Sequence, residues 1–120
     1  MPRVVHFEMT VKDPDRAIAF YEKVLGWKVQ KWGGMDYWLI STGDGEGIDG
    51  AFMRSDDGTM KTVNTIDVAS LDEALEQVVA HGGQVLSQRQ AVPGVGWWAS
   101  CMDTEGNLIG LMQFDRTVKG

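Results

Sequence analysis

The amino-acid sequence predicts an α+β fold in which a strand, a helix and three further strands follow one another twice. Two observations lead to this prediction. The chain resembles itself when it is shifted by about 57 to 60 positions, and each half contains one amphipathic helix among strand-like runs. With 120 residues, 43% of them hydrophobic, the chain is long enough to bury a core. We therefore expect one domain over residues 1–120, with module one at about 1–56 and module two at about 60–116.

The internal repeat is seen in two registers. A shift of 57 places residues 10–29 on residues 67–86, and a shift of 60 places residues 37–53 on residues 97–113. The second register aligns Trp38 with Trp98, Gly50 with Gly110, and assigns the extra residues to the segment QAVPGVG, predicted to be a loop.

Residues 4–11 alternate apolar and polar side chains, which predicts a strand. A helix follows, because Asp13 can cap it, Pro14 suits its first position and Gly26 can end it. The second helix begins after Ser70, which has the spacing of a capping box with Glu73. The remaining strands are predicted near residues 27–32, 36–42, 47–54, 84–89, 96–103 and 107–114.

One helix can cover only one face of the sheet in its own module, so the other face needs a partner. A curved mixed sheet around a central cleft between the modules satisfies this need, and the cleft is the expected ligand site. For the same reason, because a single chain leaves sheet surface poorly covered, we expect a homodimer.

The net charge of −6 disfavours nucleic acid as a partner, because an acidic surface repels phosphate. No apolar run approaches the roughly 20 residues that cross a bilayer, so no membrane association is expected. Cys101 is the only cysteine and no secretory signal is evident, which favours a cytoplasmic location.

The stretches HFEMTVKDPDRAIAFYEKVLGWKV and DTEGNLIGLMQ resemble the opening and closing motifs of the vicinal oxygen chelate superfamily, the group of glyoxalase I, the bleomycin resistance proteins and the extradiol dioxygenases. The resemblance implies two tandem βαβββ modules. It leaves the function open, since members include metal-dependent isomerases and oxygenases, transferases and binding proteins without catalysis.

In the metal-dependent members four strand positions supply the ligands, and the motifs place them on His6, Gly50, Val63 and Gly110. Only His6 can bind a metal through its side chain, so the resemblance implies no usual metal cofactor here. We expect the two glycines to enlarge the cavity, or to mark bulges or close backbone packing, and the two interpretations can hold together.

His6 and Glu8 are two residues apart on a strand, so they share a face, with Thr10 further along. They are the candidate catalytic pair, with Glu8 orienting His6 as a general base; the alternative is a polar pair in the cleft wall. With Asp67 they could hold a divalent zinc or nickel ion, although same-face positions on one strand lie about 6.5 Å apart, which is awkward for one ion.

Aromatic and small side chains on the cleft face would suit a flat organic ligand, although core or interface roles are the alternative for the tryptophans. The predicted ligand-binding residues are Thr10, Trp38, Gly50, Val63, Thr65, Asp67, Trp98, Gly110 and Met112.

Three functions follow as hypotheses. The first is a metal-free binding protein for a small organic molecule, similar to the bleomycin resistance proteins. The second is a lyase or isomerase related to glyoxalase I that acts through His6 and Glu8, with or without a metal. The third is an accessory domain without a substrate.

Overall fold

The computed structural model describes residues 2–119, which form two compact units. The first unit comprises residues 6–63, and the second unit comprises residues 2–5 together with residues 64–119. Each contains strands and one helix in the order βαβββ, as the repeat predicts, and the second carries one extra short strand. No helix among the described residues is long and apolar enough to cross a membrane.

The first unit contains β1 (Val4–Val11) from its third residue onward, α1 (Pro14–Leu25), β2 (Lys28–Lys31), β3 (Tyr37–Ser41) and β4 (Asp49–Arg54). Its strands lie in the order β2-β3-β4-β1. Strands β1 and β4 are parallel, and the other pairs are antiparallel. The sheet is therefore mixed, as expected.

The second unit repeats this arrangement with its own helix. Its elements are β5 (Thr62–Asp67), α2 (Leu71–Ala80), β6 (Gln84–Val85), β7 (Gln90–Val92), β8 (Gly96–Met102) and β9 (Leu108–Phe114). The strands lie in the order β5-β9-β8-β6, with β7 also paired to β8. Strands β5 and β9 form the one parallel pair of this unit.

The predicted helix boundaries are confirmed. The Asp13 side chain accepts a hydrogen bond from the backbone of Arg16 at the start of α1, and Gly26 ends that helix with a φ of 72°. Ser70 accepts a hydrogen bond from the backbone of Glu73 at the start of α2. Local capping chemistry was thus sufficient to locate both helices.

The core of the first unit lies between α1 and one face of its sheet. Val11, Trp38, Ile40 and Phe52 are buried there, and Phe7, Met9, Ala17, Ile18, Tyr21, Trp27 and Val29 pack around them. The rings of Tyr21 and Trp27 stack with their centroids 5.0 Å apart. The odd-numbered residues of β1 therefore face the helix.

The core of the second unit is built in the same way from Leu71, Ala99, Cys101 and Leu111. Cys101 is fully buried, and this burial raises the pKa of its thiol. A buried, protonated thiol is a packing residue rather than a nucleophile.

The segment QAVPGVG is not a simple loop as predicted, because Gln90–Val92 forms β7 on the edge of β8. The predicted strand over residues 84–89 ends early, at Val85. The Ser87 hydroxyl accepts the hydrogen bond of the Ser100 amide, which takes that amide out of the regular ladder.

The last strands of the two units, β4 and β9, correspond to each other at a shift of 59 residues, not at the shift of 60 that the sequence predicts. In the first unit Glu8 pairs with Ala51, and in the second unit Thr65 pairs with Gly110. Since Thr65 is 57 residues beyond Glu8, the counterpart of Gly110 is Ala51 rather than Gly50. A slip of one residue moves a side chain to the opposite face of a strand, so Gly50 and Gly110 are not equivalent.

Each of the two glycines lies against an aromatic side chain. A Cβ at Gly50 would lie 2.5 Å from the carbonyl oxygen of Phe7 and 2.6 Å from its ring, and a Cβ at Gly110 would lie 2.7 Å from Nε1 of Trp98. Close packing therefore accounts for both glycines, as one of the two interpretations predicts.

We expect Gly50→Ala to destabilise the protein by about 1–3 kcal/mol, because the added methyl group overlaps backbone as well as side-chain atoms. Gly34→Ala is the matched control, since its φ is not in the left-handed region and a Cβ there meets no atom within 4 Å. Urea denaturation of both variants measures the difference. Equal free energies of unfolding for the two variants would contradict the packing at Gly50.

Candidate functional site

Three polar side chains of the first unit form a hydrogen-bonded cluster, which we call the triad: His6, Glu8 and Tyr37. The Tyr37 hydroxyl donates to Oε2 of Glu8 at 2.6 Å. The same hydroxyl lies 3.0 Å from Nε2 of His6, and that nitrogen lies 3.7 Å from Oε2 of Glu8. The predicted pair is therefore brought together, with a tyrosine between its members.

Strand geometry explains how the triad is assembled. Alternation along β1 directs His6 and Glu8 to the face opposite the helix. Tyr37 lies two strands away, where it pairs with Met53 of β4. The residue of β4 that pairs with Glu8 is Ala51, whose methyl group leaves room for the phenol ring to cross that strand.

The contacts within the triad shift the pKa values of Glu8 and Tyr37 in opposite directions. Burial raises the pKa of the Glu8 carboxyl, but the nearby His6 imidazole and the hydrogen bond from Tyr37 outweigh it, so the pKa of Glu8 falls below its usual value. Burial, the hydrogen bond to Glu8 and the Glu8 charge all raise the pKa of Tyr37 well above its usual range. Glu8 is therefore a carboxylate and Tyr37 a neutral phenol throughout the neutral pH range.

His6 opens onto a groove of about 540 Å³. The His6 side chain is 28% exposed and that of Glu8 is 20% exposed. The groove is lined by His6, Lys28, Val29, Gln30, Leu39, Ile40, Ser41, Asp49 and Gly50. This lining offers apolar surface, hydrogen-bonding groups and charges of both signs to a small molecule.

The donor set does not fit a metal ion. Among residues 2–119, no group of three or more His, Cys, Asp or Glu side chains is placed to hold one. Asp49 is the acidic residue beside His6, but its Oδ1 already accepts hydrogen bonds from the backbone and hydroxyl of Thr42. At the position equivalent to Gly110, Ala51 has no ligand atom either.

The other predicted residues of the first unit have different surroundings. Thr10 is occupied by hydrogen bonds with the backbone of Thr59 and Lys61. Trp38 is buried in the hydrophobic core on the helix side of β3, which corrects its predicted place on the cleft face. Gly50 borders the groove through its backbone, and Val63 is half-buried in β5.

In the second unit, most of the predicted residues lie side by side. Gly110 pairs with Thr65 and lies against the Trp98 indole, and Met112 pairs with both Trp98 and Asp67. Asp67 accepts a hydrogen bond from the backbone amide of Arg3 through its Oδ1. The shared cleft between the modules, the homodimer and the ligand-binding roles stay predictions.

Sequence reasoning missed Tyr37, Lys28 and Gln30. Tyr37 had one usable signal, since alternation along β3 places it on the face opposite Trp38. That signal could be used only if the pairing of β3 with β4 were known, because Tyr37 lies 29 residues from Glu8 and 31 residues from His6 along the chain.

Comparison with known proteins agrees with this architecture. A sequence model of the glyoxalase/bleomycin resistance protein/dioxygenase superfamily matches residues 3–111. The protein named "Putative glyoxylase CFP32" of Mycobacterium bovis is 27% identical over 110 residues, which is 88% of this chain and 42% of that protein. The chain thus spans about two fifths of the length of the curated relatives it matches.

Solved structures share the fold at lower identity. Methylmalonyl-CoA epimerase from Mycobacterium tuberculosis superimposes with a TM-score of 0.72 at 18% identity, covering 92% of this chain and 87% of the epimerase. The Mn(II)-bound glyoxalase from Novosphingobium aromaticivorans gives a TM-score of 0.69 at 24% identity, covering 100% of this chain and 42% of that one. With two βαβββ modules and a family match over nearly all its length, the chain belongs to the glyoxalase/bleomycin resistance protein/dioxygenase superfamily.

Proposed function

We propose that this chain binds a small organic molecule in the groove beside His6. The observation that carries the proposal is the position of His6: its ring lines a groove of about 540 Å³, and its Nε2 is held by Tyr37, whose hydroxyl is in turn bonded to Glu8. A pre-formed polar cluster next to apolar lining is typical of ligand sites, because the apolar surface supplies affinity and the polar groups set orientation.

The donor chemistry favours recognition without a metal. Of the four ligand positions of the metal-dependent members, His6 alone carries a ligand atom, and its Nε2 is engaged with Tyr37. Contacts to the ligand are therefore assigned to this chain's own side chains. Leu39 and the stem of Lys28 would cover its apolar part, and His6, Gln30 and Ser41 would contact its polar groups.

A second candidate is proton transfer at a carbon next to a carbonyl group. It is favoured by the triad, in which an imidazole is backed by a carboxylate through a phenol. Removal of the proton would convert His6 to imidazolium, which the charge of Glu8 stabilises, and return of the proton would complete an isomerisation. The structural neighbours that share the fold include a methylmalonyl-CoA epimerase and a glyoxalase.

Binding can be measured by backbone NMR during titration with a collection of small organic acids, amides and phenols. We expect the resonances of Lys28, Gln30 and Leu39 to shift, and His6→Ala to weaken binding about tenfold through loss of one hydrogen bond. His81→Ala is the control, since His81 is an exposed histidine at the end of α2. Shifts confined to other surfaces, or equal affinity of the His6→Ala variant, would contradict the proposal.

Proton transfer can be tested by following loss of the C2 proton of methylmalonyl-CoA in D₂O after dialysis against a chelator. We expect the wild type to accelerate exchange and His6→Gln to lose about 10²–10⁴-fold of the acceleration. His81→Gln should exchange like the wild type. A wild type without acceleration would eliminate this candidate and leave the binding proposal standing.

The lowered pKa of Glu8 also predicts a pH-dependent stability. Because the pKa in the folded state lies below 4.5, the usual value, the stabilisation is complete above that pH and is lost as the pH falls through the folded-state pKa. Glu8→Gln should therefore lower the free energy of unfolding by about 1–2 kcal/mol at pH 7 and by less at pH 3.

Urea denaturation at both pH values checks this prediction. Glu22→Gln, at an exposed position of α1, is the control and should change the free energy of unfolding by less than about 0.5 kcal/mol. A Glu8→Gln deficit that is as large at pH 3 as at pH 7 would refute the ionic role of Glu8.

A further inference from the structure

The hydrogens of the triad can be assigned by counting. Tyr37 has one hydroxyl hydrogen, and at 2.6 Å it is donated to Oε2 of Glu8. A carboxylate has no hydrogen to return. Toward His6 the phenol oxygen can therefore only accept, so at 3.0 Å the hydrogen between them belongs to Nε2 of His6.

The other ring nitrogen follows from this assignment. A neutral imidazole carries one ring hydrogen, so Nδ1 of His6 is unprotonated and acts as an acceptor. Within the described part of the chain, residues 2–119, Nδ1 has no hydrogen-bond partner, and His6 lines the groove. The lone pair of Nδ1 is thus the one left for a ligand.

We infer that Tyr37 is a positioning residue that fixes His6 as the Nε2–H tautomer and so presents an unprotonated Nδ1 to the groove. Only one part of this inference rests on the proposed function, namely that Nδ1 of His6 contacts a ligand in the groove. The tautomer itself is a property of the free protein, so it can be tested whether or not any ligand binds.

An unprotonated Nδ1 also determines which kind of ligand group can bind at this point of the groove. Glu8 and Tyr37 are not among the residues that line the groove, which leaves Nδ1 of His6 as the acceptor that the triad offers there. A ligand must therefore bring a hydrogen there, on oxygen, on nitrogen or on an acidic carbon. A group that carries only lone pairs would face the lone pair of Nδ1 and the nearby carboxylate charge.

The second histidine supplies an internal control. Nδ1 of His81 lies 3.1 Å from the backbone carbonyl oxygen of Gln77. A carbonyl oxygen only accepts, so in His81 the hydrogen must be on Nδ1. The two histidines of this chain are therefore expected to show opposite tautomers in the same sample.

Long-range ¹H–¹⁵N correlation spectra of histidine-labelled protein distinguish the two nitrogens directly. At about pH 8.5, where an unperturbed imidazole is neutral, we expect a pyridine-like Nδ1 and a pyrrole-like Nε2 for His6, and the reverse for His81. Spectra of His81→Asn assign the signals. A pyrrole-like Nδ1 in His6 of the wild type would overturn the inference.

Two variants test the role of Tyr37. Tyr37→Phe keeps the ring and removes the hydroxyl, so both His6 nitrogens should move toward averaged shifts, while those of His81 stay unchanged. Glu8→Gln keeps the hydroxyl but lets an amide donate to it, which permits the reverse direction and should also give a mixture. If His6 remains a pure Nε2–H tautomer in both variants, Tyr37 is not its positioning residue.

Discussion

The parallel pairing of β1 with β4 is the constraint on which the rest of the first unit depends. It sets Phe7 opposite Gly50 and Glu8 opposite Ala51, and it thereby sorts each strand into a helix-facing and an open face. Apolar rings lie on one face and the polar triad on the other. A slip of one residue would bury the carboxylate against the helix and expose the aromatic core, so burial of the core also fixes the site.

Close packing of aromatic side chains on glycine occurs in both units, although at positions that are not equivalent. In the first unit the phenylalanine of β1 lies over Gly50 on the helix side, and in the second the indole of Trp98 lies over Gly110 beside Thr65. Each arrangement fills the space that a side chain at its glycine would occupy. A larger residue at either glycine would therefore disturb the aromatic packing of its unit.

The fold and half of the candidate site could be predicted from local patterns. Asp13, Ser70 and Gly26 gave the helix ends because capping depends on residues within one turn. His6 and Glu8 were found because they are two apart on one strand. Tyr37 was not, because its contact depends on the pairing of distant strands, and the false match of Trp38 with Trp98 shifted that pairing by one residue. Low identity between the halves left two tryptophans as the best markers, and they lie on opposite faces.

The single cysteine provides a chemical measure of how often the core of the second unit opens. Cys101 is fully buried in β8, surrounded by Leu71, Ala99 and Leu111, so a thiol reagent can reach it only when that core opens. Its alkylation rate therefore follows opening of the second unit, and no thiol of the first unit contributes to the signal. The unmodified chain thus carries a chemical readout that belongs to one of its two units alone.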